Sequence, residues 1–254
     1  IFGVILISQG LLTATSGILL YGLMPFVGAG LAWRPLLIKS FSYPQKSRKN
    51  LIALLKVTRW TALATLAATL ADNIDILMVK SFLDSYQAGL WASATRISAF
   101  ASIIGWSIGA VLSNRVVNYQ GLQHLKKYLS KAWRIAIFAS AGIAFAALFA
   151  EPVIYFTVGR EYLDATSVLQ VLIISSAIGV ATAPFSAMFF LFDRPQYYAI
   201  SGVLQIIILF VGNYMAIPLY GLMGAAAVRV IVKMVILIFT LIYVRSAYVK
   251  KYHS

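Results

Sequence analysis

Six charged side chains stand inside stretches that are otherwise apolar: Arg34, Asp72, Asp75, Arg96, Arg229 and Lys233. A charge near the centre of a bilayer costs about 2.5–3.5 kcal/mol on insertion scales, so such residues face a cavity or a partner. Four cations against two carboxylates leave a net positive interior, and a positive, water-accessible cavity wants an anion. Asp72 and Asp75 offer three other chemistries. They can pair with the cations, respond to protons or sodium as coupling partners, or hold a divalent metal as an Asp72-x-x-Asp75 motif.

The counts remove other classes of site. The chain has no Cys, which excludes disulfides, a thiolate nucleophile and a Cys-based metal site. Its two His, His124 in a basic polar stretch and His253 in the tail, do not make a zinc or catalytic cluster. No GxxxxGK[ST] is present to cradle ATP phosphates. Neither a catalytic residue, a metal nor a cofactor is therefore expected. The chain opens on Ile1 within an apolar run, lacking Met and an n-region, which reads as a fragment of a longer protein and not as a signal peptide.

The elements that must position these residues follow from hydropathy. Of 254 residues 61% are apolar and 11% charged, against roughly 45–50% and 25% in soluble domains, and the mean hydropathy is +0.87. The net charge of +14, which on a polar chain would suggest nucleic acid, here indicates anionic membrane lipids and topology control. A span takes about 20 residues to cross roughly 30 Å of hydrocarbon. Uncharged windows, divided at Tyr21-Gly22 and at Pro218-Leu219-Tyr220-Gly221, predict eight spans: 1–19, 22–41, 60–80, 88–112, 134–157, 166–192, 197–217 and 222–244. The basic stretch 43–58 reads either as an interfacial helix or as a plain basic loop.

Cation placement supports that division. Fifteen of the 21 Lys and Arg, from Lys39 to Lys251, fall in one set of alternate connections, and only Lys80 and Arg160 in the other. This positive-inside bias puts the basic loops and the C-terminus in the cytoplasm. Counted from the outer end of each span, Asp72, Arg96 and Arg229 lie roughly 10–12 Å deep. Lys233, one turn beyond Arg229 on the same face, comes near the midplane. An Asp72–Arg96 ion pair between neighbouring helices would be a purely structural use of two of these charges. Leu20-Tyr21-Gly22-Leu23-Met24 recurs as Leu219-Tyr220-Gly221-Leu222-Met223, at the turn between two spans in each case. Carried onward, the offset sets Arg34 opposite Lys233 as candidate symmetry mates, as in transporters built from repeated halves. Alternatively Arg34, followed by Pro35, snorkels to the cytoplasmic interface.

Three stretches carry a resemblance: Asp72–Ile97 (DNIDILMVKSFLDSYQAGLWASATRI), 158–172 (VGREYLDATSVLQVL) and 213–226 (NYMAIPLYGLMGAA). Their order resembles the polysaccharide-transporter branch of the multidrug, oligosaccharidyl-lipid and polysaccharide exporter superfamily, to which the O-antigen flippases belong. The resemblance implies an all-α polytopic membrane protein, whose eight spans form part of a 12–14-helix, two-lobe transporter fold. Residues 1–42 would be the last helix pair of the N-terminal lobe and 43–59 a cytoplasmic interfacial linker. Residues 60–245 would form the C-terminal six-helix lobe and 246–254 a cytoplasmic tail. It implies a flippase in the bacterial inner membrane, moving undecaprenyl-pyrophosphate-linked oligosaccharide by alternating access, with a polysaccharide polymerase as a candidate partner. The anionic headgroup would then meet Arg34, Arg96, Arg229 and Lys233, while Trp91 and Trp106 are candidates to stack on sugars. Two competing functions are a polyprenyl-phosphate transferase using Asp72 and Asp75, and a drug exporter of the same fold. The first needs carboxylates near the cytoplasmic face, whereas the charge bias places these in the outer half. The second needs an acidic cavity, whereas this interior is net basic.

Overall fold

The computed structural model describes residues 47–116, 122–186, 188–191 and 195–252, together with 23, 26–28 and 30. Contacts divide the chain into two compact units, Ile1–Ala53 and Leu54–Ser254. Of the first, only the few residues named and the turns from Ser47 are described, all helical. In order, the helices are α1 (Ser47–Phe82), α2 (Ser85–Val116), α3 (Leu122–Ala146), α4 (Ala150–Thr157), α5 (Thr166–Ser186), α6 (Met188–Leu191) and α7 (Pro195–Tyr252). Single 3₁₀ segments, Ala147–Phe149 and Arg160–Ala165, join α3 to α4 and lead into α5. No strand occurs among the described residues.

Local sequence explains the main boundaries. No Gly or Pro interrupts Ser47–Phe82, and a single helix, α1, runs through it. At the next junction the Asp84 carboxylate accepts from the Gln87 backbone N–H at 2.7 Å, and Gln three residues after Asp is the spacing of a capping box. The expected span 134–157 is helical throughout but bends through the 3₁₀ turn at Ala147–Phe149.

The long α7 is a hairpin. As one straight rod its 58 residues would reach about 87 Å, almost three hydrocarbon thicknesses. Gly221 instead takes φ 57° and ψ −140°, a backbone conformation that side chains with a Cβ rarely adopt. The arms then lie against each other. The rings of Tyr197 and Tyr243 come within 4.3 Å, and a Cβ built on Gly212 would meet Val228 at 2.7 Å. The turn expected at 218–221 is therefore the point of reversal.

At the centre lies α5, which carries no charge and is apolar on every side, the mark of a helix buried on all faces. It packs against α2, α3 and α7. Of these neighbours, α2 runs parallel to α5 and α3 antiparallel to it. Tyr86 at the start of α2 donates to the Asp164 carboxylate at 3.2 Å, whereas Trp133 of α3 meets Phe185 at the far end of α5. Many large apolar side chains face outward, among them Phe100, Phe138, Phe145, Leu148 and Phe156. Such a belt suits a lipid surface and not water.

Four helices among the described residues are long and apolar enough to cross a membrane: Thr58–Phe82, Ser130–Thr157, Arg160–Ser186 and Gln196–Ala247. The protein is thus an α-helical membrane protein. Among the described residues the expected total of eight is not reached. The 52-residue stretch Gln196–Ala247 contains two of the expected spans, α2 covers the expected 88–112 without being one of the four, and the span 1–19 with most of 22–41 lies outside the described residues.

Candidate functional site

The intramembrane charges meet where α1 packs on the α7 hairpin. Small residues permit that approach: Ala71 packs with Leu209, Val228 and Val232, and Gly202 lies against Ala67. One turn beyond Ala71, Asp75 is fully buried. Its Oδ1 accepts a 2.6 Å hydrogen bond from Asn213 Nδ2, and its Oδ2 is paired with Arg229 Nε. Asn213 and Arg229 stand eight residues either side of Gly221, so the reversal brings both arms onto one carboxylate.

Arg229 has further partners. Its Nη2 donates to the Asp72 backbone carbonyl at 3.1 Å, and its guanidinium lies 5.6 Å from the Trp91 ring centroid. A guanidinium carries five N–H groups, of which Asp75 and Asp72 take two. The other three have no acceptor among the described residues, and the side chain is 16% exposed. Lys233, half-buried one turn along, has Asp72, Arg229 and Asp75 as charged neighbours and no carboxylate of a described residue within 4 Å. Asn213 Oδ1 is buried and lacks a hydrogen-bond partner.

Beside this cluster, α1 presents a polar track. Thr61, Thr65, Thr69 and Asn73 recur at every fourth position, so they share a face. Each donates to the carbonyl four residues back, or three for Thr61, at 2.8–3.0 Å. The hydroxyl protons being spent within the helix, the oxygen lone pairs remain outward as acceptors. Thr65, Thr69, Asp72 and Asn73 are exposed, and polar groups at membrane depth face an interior or a water-filled cavity.

The structure separates the residues singled out by sequence. Asp75, Arg229 and Lys233 come together, with the Asp72 backbone in contact and its side chain exposed. Arg96 is exposed and forms no ion pair with a described residue, so the Asp72–Arg96 pair is replaced by Asp75–Arg229. Trp91 is 1% exposed and lies against Arg229, which leaves it no free face for a sugar. Arg34 and the Trp106 side chain lie outside the described residues. No group of three or more metal-ligating side chains gathers among the described residues. Asn213 and the threonine track were missed. The four-residue spacing of the track is visible in the sequence, but nothing there links Asn213 to a carboxylate 138 positions away.

A family model described as a polysaccharide biosynthesis protein matches residues 35–168, more than half of the chain. The chain belongs to the polysaccharide biosynthesis protein family. The resemblance to polysaccharide transporters is thereby upheld, and the protein's business is polysaccharide synthesis or transport. The matched region of this family member contains Asp72, Asp75, Trp91 and Arg96, whereas Asn213, Arg229 and Lys233 lie beyond it. No curated protein and no solved structure matches the chain.

Proposed function

We propose that this polysaccharide biosynthesis protein is a flippase. It carries a polyprenyl-pyrophosphate-linked oligosaccharide across the bacterial inner membrane by alternating access, without doing chemistry on it. The observation that carries this reading is the state of Arg229 and Lys233: three guanidinium N–H groups unspent among the described residues beside an ammonium that forms no ion pair among them, both inside a membrane-spanning region. A guanidinium fork and a point charge are the groups that recognise phosphate oxygens. The acceptor-rich track of Thr65, Thr69 and Asn73 supports the sugar half of the ligand, because sugar hydroxyls can donate to it. The basic ends of α1, α3 and α7 (Arg59, Lys131, Arg134, Arg245) favour a cytoplasmic C-terminus and attraction to anionic lipid.

The transferase alternative loses its metal pair. Both Asp75 oxygens are engaged by Arg229 and Asn213, so only Asp72 is free to ligate. The drug-exporter alternative lacks an acidic cavity, since Asp75 is neutralised by Arg229 and Asp72 is balanced by Lys233, leaving the cluster without net negative charge.

Lys233→Gln is the direct test, because Lys233 has no ion pair whose loss would unfold the protein. Expressed in a strain lacking the gene, the variant should reach the membrane at the wild-type amount and yield at least about tenfold less surface polysaccharide, one charge-assisted contact being worth a factor of this order. Wild-type polysaccharide would sink the anion site.

A further inference from the structure

We infer that Asp75 is a built-in counter-anion, which holds Arg229 in place and weakens the site's grip on its pyrophosphate ligand so that the ligand can leave. This rests on the flippase reading and deepens it.

Four observations converge. The Asp75 carboxylate is fully buried, so its charge is not screened by water and acts at full strength on its neighbours. It is held from two helical arms at once, by Asn213 on Oδ1 and Arg229 on Oδ2. The Asp72 carbonyl and the Trp91 ring hold the same guanidinium from the side of α1 and α2. Asp75 and Arg229 together carry no net charge, so the net charge of the cluster is set by Lys233 together with the exposed Asp72. Arg229 then offers an anion its three free N–H groups, but not an uncompensated charge. Such a site binds more weakly than two free cations would. A translocation site must bind well enough to load and loosely enough to release.

The unpartnered Asn213 Oδ1 makes the decisive variant a mild one. In Asp75→Asn the new carboxamide oxygen can accept from Arg229 Nε, and its NH₂ can donate to Asn213 Oδ1 once the Asn213 amide flips, so that Asn213 Nδ2 replaces Oδ1 as the one unpaired atom. The packing stays and the charge goes. Asp75→Ser, which is smaller and also neutral, provides a second case.

The test measures binding of farnesyl pyrophosphate to the purified full-length protein in nanodiscs, with thermal unfolding recorded alongside. Both neutral variants should bind about tenfold more tightly than wild type, because a negative charge behind the binding guanidinium opposes an anion and its removal favours one. Lys233→Gln should bind about tenfold more weakly. Unchanged or weaker binding by folded Asp75→Asn and Asp75→Ser would overturn the proposal and leave the flippase reading standing. Failure of both neutral variants to fold would overturn it as well, because the carboxylate would then be a structural requirement. No binding by wild type would remove the anion site itself, and the proposal with it.

Discussion

Asp72 and Asp75 are the same chemical group three positions apart, and they end in opposite environments. At 100° per residue they lie some 60° apart around α1. That rotation puts Asp75 against the α7 hairpin and leaves the Asp72 side chain exposed, with only its carbonyl used. The burial of Asp75 has a stability consequence that separates the partners. Arg229→Gln leaves a carboxylate uncompensated in the interior, which should cost about 3–5 kcal/mol. Asp75→Asn removes the buried charge and only exchanges one unpaired Asn213 amide atom for the other, so its cost should be smaller. Thermal unfolding in detergent should therefore rank wild type, Asp75→Asn and Arg229→Gln in descending order. The double variant should recover much of the loss of Arg229→Gln. Equal losses for the two single variants would contradict this account of the pair.

Among the elements, the α7 hairpin does most to assemble the site, since its two arms supply Asn213, Arg229 and Lys233. Its reversal depends on Gly221, whose positive φ a β-branched residue would adopt only under strain, so Gly221→Val should cost about 1–3 kcal/mol. Gly224 is constrained differently. A Cβ there would collide with the Ala216 carbonyl of the other arm, so even Gly224→Ala must push the arms apart, at about 1–3 kcal/mol. Gly142 in α3 is the control. Nothing lies within 4 Å of its Cβ position, and Gly142→Ala should be neutral or stabilising by up to about 1 kcal/mol. Melting temperatures of the three variants check the pattern. A Gly224→Ala protein as stable as Gly142→Ala would show that the arms are not in close contact.

Across the whole molecule, the charged side chains sort to two ends. Arg59, Lys131, Arg134 and Arg245 stand toward one end of the helices, while Asp84, Glu161 and Asp164, with Lys80 and Arg160, stand toward the other. The positive-inside bias then predicts a cytoplasmic C-terminus. A fluorescent protein fused after Ser254 should fold and fluoresce, and alkaline phosphatase fused there should be inactive. The phosphatase fused in the 83–84 connection should be active. The opposite pattern would invert the topology and place Arg229 and Lys233 at the wrong depth for the proposed path.

The sequence alone determined the helical membrane class, the reversal near Gly221 and the set of charges worth attention. These follow from local properties: hydropathy over some twenty residues, one Gly-containing turn, and the cost of a charge in hydrocarbon. The regular four-residue spacing of Thr61, Thr65, Thr69 and Asn73 was legible too, because helical periodicity is itself local. The tertiary structure decided which charges pair. Asp75 meets Arg229 across 154 positions and Asn213 across 138, and Trp91 is occupied by a guanidinium. Such partnerships depend on which helix faces pack together, and in an apolar chain packing is directed by small residues and close approach instead of by water. Arg96 shows the difference most plainly: its depth in the sequence resembled that of Arg229, yet among the described residues none brings it an acid.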